Sequence, residues 1–208
     1  MKELIAQILM SINCLQVSPK NPFSYASGLK GPIYCDNRKA LSHVLERKKI
    51  VEGLLQQIKD SGVKFDSVCG LATAGIPHAA WVAEKLDLPM IYVRGKAKEH
   101  GKKNQIEGDF KAGDKVILIE DLVNQGSSLR TAVEALQGAG LEPQACFCIV
   151  NYEMKAVNEM LPKLGISLYS LTDFTTILRV AKNTLNLTDK DLQTLKNWHD
   201  DPKAWSPA

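Results

Sequence analysis

The densest chemistry in the chain lies in VILIEDLVNQGSSLRTA, residues 116–132. Four apolar residues run straight into two carboxylates, Glu120 and Asp121. Adjacent carboxylates repel, so such a pair at the end of a strand is costly unless it binds something. Together they accept hydrogen bonds from the paired hydroxyls of a ribose, and they approach a metal ion directly or through water. Leu122 and Val123 follow, then Asn124-Gln125-Gly126-Ser127-Ser128, then a helical pattern that begins near Ser127. The free backbone N–H groups of a helix start, with the helix dipole behind them, make an anion site. Gly126 lets the backbone come close to a phosphate, and Ser127 and Ser128 add hydroxyl donors. Strand, acid pair, polar loop and helix in this order suit a sugar phosphate held at Glu120 to Ser128.

A second group of polar residues lies between MIYVR (90–94) and VILIE (116–120). The segment starting at Arg94 carries Lys96, Lys98, His100, Lys102 and Lys103, with few apolar residues. A polar connection this long in a compact domain is usually functional or disordered. Read by itself, it suits a solvated, mobile hairpin.

Positioning these groups requires a particular scaffold. Short apolar runs at 67–71, 90–94, 116–120 and 145–150 alternate with helix-like stretches at 76–86, about 127–138 and 153–163. That alternation predicts an α/β fold with a mainly parallel sheet and helical crossovers. Ligands of such sheets bind at the carboxyl ends of the strands. Residues 40–59 read as an amphipathic helix with Leu41, Val44, Leu45, Val51, Leu54, Leu55 and Ile58 along one side. Residues 20–38 are rich in turn formers, with two short β-like pieces. Residues 172–182 and 188–198 read as helices, with Thr172 and Thr188 as cap candidates.

Bulk properties narrow the class. The 208 residues suit a single domain. A net charge of +3 without a long basic block gives no reason to expect nucleic acid. The start, MKELIAQILMSINCL, is interrupted by Glu3, Gln7, Ser11 and Asn13, so it reads as a helix with Leu4, Ile5, Ile8, Leu9 and Ile12 on one face and not as a signal peptide. No membrane span is expected. The five cysteines are odd in number and form no CxxC pair, which suits reduced core thiols in a cytoplasmic protein. His78 and the three tryptophans read as structural residues.

The segment 116–132 resembles the diphosphoribosyl-binding motif of type I phosphoribosyltransferases. Asn124, Gln125 and Ser127 depart from its usual hydroxyl and glycine residues, while the backbone donors survive. YVRGKAKEHGKKNQIEG (92–108) is similar to the mobile catalytic loop of orotate phosphoribosyltransferases. SGLKGPIYCDNR (27–38) is similar to that family's substrate-end segment, and LYSLTDFTTILRVA with DPKAW to the tail of one bacterial branch. The resemblance spans nearly the whole chain. It implies the type I phosphoribosyltransferase fold, with residues 1 to about 40 contributing to a small hood and about 60–170 forming the core.

It also implies roles. Arg94, Lys98 and His100 would meet the diphosphate of 5-phospho-α-D-ribose 1-diphosphate (PRPP), with Gly95 standing where a basic residue is common. Thr73 and Ala74, in the turn Ala72 to Gly75, would bind the diphosphate, and Glu120 to Ser128 the ribose phosphate. Lys98, His100 and Asp121 would be catalytic. Orotate would meet Asn124 and Arg38. Mg²⁺ would bind mainly through the diphosphate and ribose, with Glu120 and Asp121 nearby. The products would be orotidine 5′-monophosphate and diphosphate, on the route to UMP. The chain would form a homodimer whose catalytic loop crosses to the partner's site. The alternatives are a phosphoribosyltransferase for another base, or a catalytically weak regulatory homologue, for which Gly95, Asn124 and Gln125 speak.

Overall fold

The computed structural model describes residues 1–25, 28–95 and 105–205. They form two compact units, one of Met1–Glu46 with Thr172–Ala208, the other of Arg47–Leu171. No helix among the described residues is long and apolar enough to cross a membrane.

The first unit opens with helix α1 (Lys2–Ser11), which buries Ile5, Ala6, Ile8 and Leu9. Leu4, expected on that face, stays exposed. Four short strands follow, three of them within 20–38, where two were expected. β1 (Leu15–Val17) pairs antiparallel with β4 (Ile33–Cys35), and β2 (Phe23–Ser24) with β3 (Lys30–Gly31). The stretch 40–59 is not one helix. A 3-10 turn covers Asn37–Ser42, and α2 (Val44–Ser61) starts afresh after His43, whose ψ of 89° breaks the helical phase. The buried face of α2 is therefore Ile50, Val51, Leu54 and Ile58, while Val44 and Leu45 are exposed.

The second unit is built around a six-stranded sheet. Its elements in chain order are β5 (Ser67–Leu71), α3 (Gly75–Leu86), β6 (Met90–Val93), β7 (Ile106–Glu107), β8 (Lys115–Val123), α4 (Ser127–Gly138), β9 (Glu142–Asn151), α5 (Lys155–Leu164) and β10 (Ser167–Asp173). The spatial order is β10-β9-β8-β5-β6-β7. β6, β5, β8 and β9 run parallel, and β7 is antiparallel to β6. Val116 to Ile119 and Cys146 to Val150 are wholly buried, as unbroken apolar runs in a covered parallel sheet must be. Each such side chain contributes about 1.5–3 kcal/mol. The chain passes from β5 to β6 on one side, then returns to place β8 on the other side of β5. That reversal leaves a crevice between the carboxyl ends of β5 and β8.

Two boundaries differ from expectation. β8 and β9 extend beyond the apolar runs, because Leu122 pairs with Val150 and Val123 with Asn151. Glu120 and Asp121 are thus the sixth and seventh of the nine residues of β8 and not at its end. Thr172 is no helix cap: it lies wholly buried in β10. The cap of α6 (Phe174–Thr184) is Asp173, whose carboxylate accepts the Thr176 N–H at 2.8 Å. Thr188 does cap α7 (Asp189–Asp200), through a reciprocal box with Asp191. In the first unit Trp198 of α7 is buried, and Phe174 stacks on His199 at 4.2 Å.

Candidate active site

The apolar run of β8 delivers Glu120 and Asp121 to the crevice. Glu120 is only 6% exposed, whereas Asp121 is half-buried. Register sets Glu120 beside Cys148, next to a fully buried stretch of β9. The Asp121 backbone N–H donates to Glu120 Oε1 at 2.9 Å. Burial, followed by the adjacent Asp121 charge, pushes the Glu120 carboxyl well above its ordinary value. Sugar hydroxyls donating to the pair, or a cation beside it, would favour the ionised form.

The loop after β8 turns sharply at Gly126, whose φ is +77°. A Cβ there would stand 2.8 Å from Met160 Cε of α5, so glycine is required both by conformation and by space. Gly126 also caps α4, with its carbonyl accepting the Arg130 N–H at 2.9 Å. The N–H groups of the first turn of α4 have no acceptor within the helix. Asn124, Gln125, Ser127 and Ser128 are exposed around them. Glu120, Leu122, Val123 and Asn124 to Ser128 line one concavity of about 80 Å³, so these expected site residues come together in space.

The second turn reaches the same place through Gly75. A Cβ on Gly75 would lie 2.3 Å from the Ile119 carbonyl oxygen and 3.3 Å from Glu120 Cα. Only glycine lets α3 start this close to β8, which sets the residue after Thr73–Ala74 against Glu120. The Ala72–Thr73 peptide is cis. One turn into α3, His78 is 1% exposed, edge-on to Trp81 at 5.5 Å, and its Nδ1 has no hydrogen-bond partner among the described residues. Burial lowers its pKa to about 4, against the opposing pull of the Asp121 charge. The Arg47 guanidinium lies 4.6 Å over the Trp81 ring.

Arg94 directly follows β6, at the start of the basic segment. Its N–H donates to the Gln105 carbonyl at 2.8 Å, Gln105 Nε2 donates back to the Arg94 carbonyl at 2.9 Å, and its guanidinium pairs with Glu107 at 3.4 Å. Lys98 and His100 lie outside the described residues. Gln105 and Glu107 were not singled out from the sequence, where only the alternation within QIE hinted at a returning strand. Arg38 belongs to the first unit and pairs with Asp36 Oδ1 at 2.6 Å, which holds that carboxyl below its usual range.

The comparisons agree with this geometry. The phosphoribosyl transferase domain family matches residues 37–160. An orotate phosphoribosyltransferase of Listeria monocytogenes is 46% identical over 201 residues, covering 97% of this chain and 96% of its own length. Among solved structures, the orotate phosphoribosyltransferase from Aeropyrum pernix has a TM-score of 0.74 at 28% identity, over 84% of this chain and 96% of that one. UMP synthase from Leishmania donovani has a TM-score of 0.78 at 26% identity over 95% of this chain, which spans 42% of that protein's length.

Proposed function

Because the chain belongs to the orotate phosphoribosyltransferase family, we propose that it transfers the ribose 5-phosphate group of PRPP to orotate. What supports this is that Glu120 lines one concavity with the Gly126 turn and the α4 N-terminus, and that Gly75, which follows the Thr73–Ala74 turn, packs against Glu120. The bond from ribose C1 to the diphosphate oxygen breaks, and a bond from C1 to orotate N1 forms. Positive charge develops on the sugar and negative charge on the leaving diphosphate. The α4 N-terminus with Ser127 and Ser128 holds the 5-phosphate, while Glu120 and Asp121 hold the ribose hydroxyls. Thr73 and Ala74 bind the diphosphate with Arg94. Lys98 and His100 act in the transition state, each well-placed charge contributing about 2–4 kcal/mol. Orotate arrives as an anion, so its N1 attacks without a strong general base. Asn124, on the loop after β8, meets the orotate.

Magnesium fits this donor set. No cluster of three or more ligating side chains occurs among the described residues, and Mg²⁺ is commonly bound by one or two carboxylates together with substrate phosphates. Glu120 and Asp121 would stand near it, with the remaining oxygens from diphosphate and ribose. When bound, the ion supplies charge neutralisation at the leaving diphosphate. The protein works as a homodimer in the cytoplasm, a setting consistent with its free cysteines.

The test is base-dependent release of diphosphate from PRPP. Orotate should support release, and uracil, adenine and hypoxanthine should not. Release with a different base, or with none of the four, would overturn the assignment.

A further inference from the structure

A groove of about 660 Å³ lies within the second unit, away from the acid pair. The carboxyl-terminal half of α2, residues 62–65 leading into β5, and the last turn of α3 form its walls. It opens at the amino end of β5, whereas Glu120 to Ser128 gather near the carboxyl end of β8. Its volume is within the range of small-molecule sites, about 300–1,000 Å³.

The chemistry of its wall is specific. Leu55, Phe65 and Leu86 are partly exposed and offer an apolar floor that includes one aromatic ring. Lys59, Lys64 and Lys85 stand around it, and Glu52 is the one carboxylate in the lining. None of these three ammonium groups makes an ion pair or hydrogen bond with a described residue. Asp60 and Asp66 flank the lining and keep their charges, since Gln56 Nε2 at 2.7 Å and the Lys115 N–H at 2.8 Å are neutral donors. Among the lining side chains themselves, three ammonium groups stand with one carboxylate, two positive charges in excess over an apolar floor. A phosphate monoester carries about that much negative charge at neutral pH.

We propose that this groove is a second ligand site, for a phosphate monoester attached to a planar ring, of mononucleotide size. The phosphate sits among Lys59, Lys64 and Lys85, and the ring lies on Phe65 and Leu86. Each half matters: lysines alone at a surface give weak, salt-sensitive attraction, and the ring adds buried apolar area. The assignment is independent of the activity proposed above, since no residue of the groove belongs to the acid-pair site.

The experiment is a titration of the full chain with UMP, followed by backbone-amide NMR, with ribose 5-phosphate and inorganic phosphate as parallel probes. UMP should saturate with a Kd of about 1 mM or tighter and shift the amides of Gly62 to Phe65, Lys85 and Leu86. Ribose 5-phosphate and phosphate should bind at least about 10-fold more weakly, because they lack the ring. The variant Lys59→Glu/Lys64→Glu should lose about 10-fold or more in UMP affinity at this site while keeping orotate-dependent diphosphate release. Asp121→Asn should leave the groove shifts intact. Shifts confined to Asn124 to Ser128 would overturn the proposal, since UMP would then occupy the sugar-phosphate loop alone. Equal binding of UMP and ribose 5-phosphate, no saturation, or unchanged affinity in the charge-reversal variant would each overturn it as well.

Discussion

Glu120 and Asp121 are neighbours in sequence but not in environment. Glu120 is walled into the sheet beside Cys148, and Asp121 is open enough to meet a ligand. Removing the Asp121 charge leaves the packing of β8 untouched and relieves repulsion on Glu120. Asp121→Asn should therefore lower kcat/KM by about 100-fold or more while the melting temperature holds or rises. Near-normal activity with a much lower Tm would show a structural pair. His78 gives a second prediction at this scale. Its folded pKa, about 4, lies below the ordinary 6.5, so its neutral form is favoured by folding. That stability is present above 6.5 and is lost as pH falls toward the folded value. Urea midpoints measured across this range should fall with acidification, and His78→Gln should flatten the fall. An unchanged slope would assign the acid sensitivity to other groups.

The elements most legible in the sequence were those with one dominant force. The β5, β6, β8 and β9 runs are apolar enough to be read directly, and so are the faces of α3 and α4. The site was legible for the same reason, because carboxylates after an apolar run announce a ligand. What escaped was set by tertiary contact. β10 carries Ser170, Thr172 and Asp173, all buried, so its polar composition hid a strand. Nothing local in Val44-Leu45 told that His43 would reset the helix. Gly126 was legible as a turn, but the closeness of Met160 is a long-range fact. The β6–β7 pair matters most for function. Arg94, Gln105 and Glu107 fasten both feet of the basic segment 96–104 to the sheet edge. Lys98 belongs to that segment in sequence, and its proposed contribution should fall in the transition state. Lys98→Ala should then reduce kcat far more than it raises the KM for PRPP. Steady-state kinetics on the folded variant would check this, and an unchanged kcat would remove Lys98 from catalysis.

At the scale of the molecule, the proposed dimer makes a test that neither site residue makes alone. If the basic segment serves the partner's acid pair, chains carrying Lys98→Ala and chains carrying Asp121→Asn should complement when mixed and reassociated. Each mixed dimer would hold one site with both groups intact and one with neither. Verified heterodimers without recovered activity would confine the segment to its own subunit. The distribution of thiols has a separate consequence. Cys14, Cys69, Cys146 and Cys148 are wholly buried, with burial raising Cys14 to about 11 and Cys69 to about 12, while Cys35 is partly exposed. Three of the buried four lie in β5 and β9, on either side of β8. A thiol reagent followed by absorbance should accordingly find one fast sulfur, Cys35, and four slow ones. Once reagent is in excess, the slow rate ceases to depend on its concentration and becomes the rate at which the protein opens. The chain thus carries, without any label, a stopwatch for the unzipping of its own interior.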